Sequence, residues 1–166
     1  MAGHDRVTPA GKKFLKEIKE LKKLQVRVGF SANGQGFGAR HEAISVKNDG
    51  GPTIAEIAAW NELGTEYIPS RPFLRQSIDK NGTLIANTCK QLITAIAKGE
   101  ATAETALKGI GALQVGLVQR EIRDGGFAPN ADSTKAKKDS ATPLIDTGRM
   151  RQSVHYVIEG KKGSKE

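Results

Sequence analysis

The sequence predicts an α+β fold in which a small antiparallel sheet of three or four strands packs against helices, one of them long. Three observations carry that expectation. Apolar residues recur at three- and four-residue spacing over 9–24, 54–63, 72–98 and 102–123, the period of a helix with one buried face. They alternate with polar residues over 25–30, 43–47 and 153–158, the period of a half-buried strand. Two strands fall early and one at the end, so helices covering one side of an antiparallel sheet is the simplest packing.

Each element has local support. Thr8-Pro9 reads as an N-cap followed by proline at the first helical position. Phe14, Leu15, Ile18, Leu21 and Leu24 then form one apolar stripe, with Lys12, Lys13, Lys16, Lys19, Lys22 and Lys23 on the other face. Val26, Val28 and Phe30 mark the first strand, and Ile44 and Val46 a second, across the glycine-rich segment 31–40. Asn48 to Pro52 is a breaker. Thr53 with Glu56 is a capping box that opens a helix to about Leu63, closed by Gly64 in the C′ role.

Pro69 and Pro72 predict an extended link over 65–71. A long helix follows from about Pro72 to Gly99, interrupted at Asn81-Gly82, with Leu74, Ile78, Ile85, Cys89, Leu92 and Ile96 on its stripe. The next, about 102–123, places Ala106, Ile110, Leu113 and Leu117 on one face. Its Gly109, Gly111 and Gly116 each weaken it by about 1 kcal/mol relative to alanine, and such glycines often permit close packing. Segment 127–143 reads as a polar loop. Asp146 and Thr147 cap a turn through Met150, and Val154, Tyr156 and Ile158 define the last strand. The expected organisation is a basic amphipathic helix over 1–24, a single α+β domain over 25–159 and a disordered polar tail over 160–166.

Composition narrows the class. The chain has 166 residues and a formal net charge of +8, from 26 Lys and Arg against 18 Asp and Glu. Its single cysteine, Cys89, excludes an intramolecular disulfide and a multi-cysteine zinc site. It falls on an apolar stripe and reads as an inert core residue. No apolar run is long enough to span a membrane, and the lysine-rich start lacks the apolar region of a signal peptide, so cytoplasmic synthesis is expected.

Candidate chemistry is thin. Gly34-Gln35-Gly36-Phe37-Gly38-Ala39 matches the dinucleotide fingerprint formally, but the motif needs a helix N-terminus after the loop, and a strand pattern follows instead. His4, His41 and His155 are scattered, without metal-ligand spacing. The sequence offers no catalytic constellation, cofactor site or metal site. The lysine face with Lys12, Lys13, Lys16 and Lys19 is suited to phosphate or an acidic surface, yet it lacks the interleaved aromatics of a single-strand binder.

Two segments are more informative. Glu62, Gly64, Thr65, Ile68, Pro69, Arg71, Pro72, Phe73, Leu74 and Arg75 form the first. Pro143, Leu144, Ile145, Asp146, Thr147, Gly148 and Arg149, with Ser153, form the second. Together they resemble the virion-morphogenesis proteins of tailed bacteriophages: neck, tail-completion and minor tail proteins. Gly126-Phe127-Ala128-Pro129-Asn130 is similar to the same group. The order of the segments, with Thr-Gly-Arg second, resembles the Mu-type branch, and the resemblance spans about 26–158.

That resemblance implies a non-enzymatic structural protein of the head–tail junction, acting as a homo-oligomeric ring that joins the connector to the tail. The implied partners are a connector or adaptor, a tail terminator, and the tail tube or sheath, with transient non-specific DNA contact and no membrane contact. It implies that Glu62, Gly64, Thr65, Pro69, Arg71, Pro72, Phe73, Arg75, Asp146, Thr147, Gly148 and Arg149 shape the fold or its interfaces. The net charge alone supports a different expectation, a basic nucleic-acid-binding accessory protein.

Overall fold

The computed structural model describes residues 7–30, 51–130, 142–145 and 148–161. In chain order the elements are α1 (Pro9–Lys23), β1 (Leu24–Gly29), α2 (Ile54–Leu63), α3 (Phe73–Asp79), α4 (Gly82–Lys98), α5 (Ala103–Asp124), the single turn α6 (Arg149–Gln152) and β2 (His155–Gly160).

The fold is α+β. Its sheet contains two strands among the described residues rather than three or four: β1 and β2 pair antiparallel, with Leu24 opposite Gly160 and Gly29 opposite His155. The strand expected at 43–47 lies outside the described residues. Gln25 and Glu159 face one another, and the Glu159 carboxylate accepts from Gln25 Nε2 and Arg27 Nη1, both at 2.9 Å. Polar cross-strand pairing of this kind suits a half-exposed ribbon.

Local chemistry starts the helices where the sequence indicates. Thr8 Oγ1 accepts from Gly11 N at 3.1 Å at the start of α1. The Thr53–Glu56 box is closed in both directions: Glu56 N donates to Thr53 Oγ1 at 3.2 Å, and Thr53 N donates to Glu56 Oε2 at 2.7 Å. The bond from Thr53 N, with a second from Thr53 Oγ1 at 2.8 Å, holds the Glu56 carboxyl below the ordinary value of 4.5. The long helix expected from Pro72 is two helices. Asn81 breaks it, and its Nδ2 donates to Ser77 O at 2.9 Å. An asparagine amide that satisfies the carbonyl four residues back stands in for the helical bond, so the chain turns without an orphaned acceptor.

Helix α5 is the hub, packing against α1, α3, α4, α6 and both strands. The core gathers Ala58, Phe73, Val118, Ile122, Leu144, Met150 and Val154, flanked by Val28 and Phe30 among others. Phe73 is fully buried, worth about 1.5–3 kcal/mol, and its ring meets Phe30 edge-on at 5.9 Å and 85°. The face expected for α5 is rotated. Leu117 and Ala106 are buried as expected, but Val118, Glu121 and Ile122 join them, whereas Ile110 and Leu113 are half-buried. A helix contacted from five directions buries more than one stripe.

Gly111 explains part of that packing. A Cβ there would stand 2.5 Å from Cδ2 and 2.6 Å from Cγ of Tyr156, so the glycine admits the tyrosine of β2 onto the helix. Gly116 has no such neighbour within 4 Å.

Helix α1 lies against α4, α5 and β1. Glu17 Oε2 accepts from Ala103 N at 2.8 Å, so a carboxylate of α1 caps the first turn of α5 and complements its positive end. Cys89 is exposed, which corrects its expected place in the core. On α4 only Ile96 is buried, and Leu84 and Ile93 are 45% and 42% exposed. The apolar stripe is real, but its outer part has no covering element among the described residues.

Candidate functional site

The knot between α2 and α3 is where the first motif becomes structure. Helix α3 begins at Phe73 behind Pro72, which has no side chain able to cap it. Glu62, on the last turn of α2 and 7% exposed, supplies the acceptor from outside. Its Oε2 accepts from Leu74 N at 2.8 Å, and its Oε1 accepts from Arg75 N at 3.3 Å and Arg75 Nε at 3.0 Å. Arg75 Nη2 also donates to the Glu62 carbonyl at 3.1 Å. A carboxylate at the N-terminal end of a helix satisfies orphan donors and opposes the helix dipole together.

The link from Gly64 to Arg71 is a compact turn, which corrects the extended conformation expected from the prolines. Thr65 closes it from both sides: its N donates to Ile68 O at 2.9 Å, and its Oγ1 accepts from Tyr67 N at 3.2 Å and Ile68 N at 3.1 Å. A threonine hydroxyl accepting from two following amides turns the chain locally, an effect proline spacing does not reveal. Gly64 has φ +80° as a C′ residue should, but ψ 166° places it in a region reserved for glycine rather than in the left-handed helical well. A Cβ there would approach Ser70 N to 2.9 Å and Ile68 O to 3.1 Å.

Arg71 ties this turn to a distant segment. It is 4% exposed; Nε donates to Ala128 O at 3.0 Å, Nη1 to Asn61 Oδ1 at 3.0 Å, and Nη2 to Pro129 O at 3.3 Å and Asn130 Oδ1 at 3.2 Å. These four acceptors are neutral. Burial pushes the Arg71 guanidinium below its ordinary value, yet arginine keeps its charge, and converging carbonyl dipoles replace the lost water. Asn130 is buried, and its amide nitrogen has no hydrogen-bond partner among the described residues.

The motif residues thus meet in part. Glu62, Arg71 and Arg75 form the knot, Phe73 enters the core, and Gly64 and Thr65 shape the turn. Pro69 is exposed and Pro72 half-buried beside them. From the second motif, Leu144 joins Phe73 in the core cluster and Ile145 packs against it, with Met150 and Val154 contributed by the residues just after the motif. Gly148, at φ +76°, precedes the turn that exposed Arg149 begins; Asp146 and Thr147 lie outside the described residues. Lys12, Lys13, Lys16 and Lys19 are exposed on α1, and the bonds of the knot use none of them.

Sequence reasoning missed Asn61 and Glu17. Each acts on a residue far along the chain, with no spacing signal to announce it. It also missed Glu121, a carboxylate buried on α5 that receives Lys80 Nζ.

A groove opens between the first turn of α4, the outer face of α5, and α6. Leu84, Leu113 and Leu117 line it, with Arg120, Arg123 and Arg151, and it encloses about 500 Å³. Among the described residues no group of three His, Cys, Asp or Glu side chains could hold a metal ion, and no helix is long and apolar enough to cross a membrane.

No family model matches the chain, and no curated protein or solved structure matches it either.

Proposed function

We propose that this chain is a structural virion protein of a phage head–tail junction, a neck or tail-completion protein that assembles as a homo-oligomeric ring between the connector and the tail. It works by contact and not by catalysis. One side meets a connector or adaptor, and the other a tail terminator, tube or sheath. One observation carries the reading: the segments that bear the resemblance converge. Arg71 of the first binds the carbonyls of Ala128 and Pro129 and the side chain of Asn130, while Leu144 of the last packs in the core cluster with Phe73, beside its neighbours Met150 and Val154. Residues that serve as one another's partners are what a fold-defining signature requires. A second support is the apolar surface. Trp60, Leu63, Tyr67, Ile78, Leu84 and Ile93 are all more than 40% exposed on a protein with a small core. Where exposed apolar groups lie together, as Trp60, Leu63 and Tyr67 do at the end of α2 and in the turn after it, they suit contact with other proteins.

The test is genetic and visual. Host cells infected with a phage carrying a nonsense mutation in this gene should accumulate filled heads and separate tails, and purified protein should restore joining. Normal virions without the protein would sink the proposal.

The basic accessory reading has its own support in α1, where six lysines are exposed and, among the described residues, only Lys23 is in an ion pair, 3.7 Å from Glu20. It requires steeply salt-dependent DNA binding that disappears when Lys12, Lys13, Lys16 and Lys19 are changed to Glu. A gel shift at low salt that shows no complex removes it.

A further inference from the structure

The turn between α2 and α3 projects the two most exposed large apolar side chains of the described residues. Tyr67 is 86% exposed and Leu63 71%. Trp60, one helical turn before Leu63, is 41% exposed, and Glu66 beside Tyr67 is exposed as well. This knob is held rigidly. Thr65 closes the turn, and Ser70 Oγ donates to Glu62 O at 2.9 Å behind it. A rigid aromatic projection loses little entropy on docking, which is the property of an interface anchor.

The groove described above has the complementary character. Its floor is Leu84, Leu113 and Leu117, and its rim carries Arg120, Arg123 and Arg151. Arg123 is engaged with Asp124 at 2.8 Å, whereas Arg120 donates to the neutral Asn81 Oδ1 at 3.2 Å and lies close enough to Asp124 for its charge to be felt there. Among the described residues no carboxylate lines the groove, and its rim there carries three arginines. An apolar knob that carries Tyr67 and the Glu66 carboxylate at its tip matches an apolar floor with a guanidinium rim, through burial, ion pairing and stacking of arginine on tyrosine.

We propose that the knob of one copy, led by Leu63 and Tyr67, docks into the groove of the next. Knob and groove share no residue, so the contact is heterologous. It passes from copy to copy and closes into a ring when the rotation allows. The inference rests on the ring reading above and names the surfaces that build it.

The test uses two full-length variants and their mixture. The knob variant is Leu63→Ser with Tyr67→Ala, and the groove variant is Arg120→Glu with Arg151→Glu. Sedimentation should show wild-type association weakened at least about 10-fold in each variant alone. An equimolar mixture should form pairs that stop at two, because it holds one intact knob and one intact groove per pair. Oxidative cross-linking of Tyr67→Cys chains to Arg120→Cys chains, both carrying Cys89→Ser, gives a readout that survives if a charge-reversed variant misfolds.

Variants that assemble like the wild type, with no cross-link, overturn the inference while rings seen by electron microscopy keep the ring reading. Association through these surfaces into open chains supports the inference and removes the ring. A wild-type chain that stays monomeric at about 1 mM, far above the weakest specific affinities, overturns the inference. A groove variant that assembles normally but loses low-salt DNA binding overturns it too, and gives the groove to nucleic acid.

Discussion

Glu62 and Arg75 are joined twice through one oxygen: Glu62 Oε1 accepts from both the backbone N and the side-chain Nε of Arg75. With the bond from Leu74 N to Oε2, a carboxylate on the end of one helix becomes the cap of the next. The carboxylate thus helps to hold the angle between α2 and α3, together with the bonds from Ser70 to Glu62 O and from Arg71 to Asn61.

Glu62→Ala leaves the amide of Leu74 without its partner at a half-buried position and frees Arg75. Bonds to a charged acceptor contribute about 1.5–3 kcal/mol. The side chain of Arg75 is 62% exposed, so solvent screens its share. A loss of about 2–3 kcal/mol in chemical denaturation is expected. Glu62→Gln keeps one acceptor and should lose less. Equal losses would show that the charge at the end of α3 contributes nothing.

Gly64→Ala places a Cβ 2.9 Å from Ser70 N in a backbone region that only glycine occupies at low cost. The melting midpoint should fall by the equivalent of more than about 1 kcal/mol, and Gly64→Val should fall further. An unchanged midpoint for both would mean that this turn is not built as described.

Two glycines of α5 predict opposite signs. Gly116→Ala meets open space and should stabilise the helix by about 0.5–1 kcal/mol. Gly111→Ala drives a methyl into the ring of Tyr156 near its Cβ, where the side chain has little freedom to yield. Overpacking of that kind costs about 1–3 kcal/mol, enough to outweigh the helical gain. Gly111→Ala combined with Tyr156→Ala should recover the gain lost to the clash, measured as a double-mutant cycle.

The capping box of α2 gives a pH dependence. The Glu56 carboxyl is held below its ordinary 4.5, chiefly by the backbone bond from Thr53. A group depressed in the folded state lends stability that is fully present above its unfolded value. That stability is lost as pH falls through the folded value. Wild-type stability should therefore drop relative to Glu56→Gln between about pH 5 and pH 3. Parallel melting profiles over that range would show that the bond does not bind the charged form.

The sequence by itself determined what depends on near neighbours. Thr8-Pro9 and Thr53 with Glu56 place helix starts because their bonds span three residues, and the alternation at 25–30 and 153–158 shows strands because side-chain direction has a period of two. Gly64 was legible as a positive-φ position for the same reason, and so was Asn81-Gly82 as a break.

Only the tertiary structure decided what depends on distant partners. Burial of Glu62 and Arg71 became visible once Leu74, Ala128 and Asn130 stood beside them. The exposed side of α4, with Cys89 on it, reads the same as a core stripe until the neighbours are known, because periodicity reports that a helix has an apolar face and not what covers it. The compact turn at 64–70 was missed because Thr65 overrode the extended bias of the prolines with hydrogen bonds of its own. The α+β class was written in local periods; the strand pairing, the rotated face of α5 and the helix-capping carboxylates Glu17 and Glu62 were set by contacts across the chain, where burial changes what a side chain can bond.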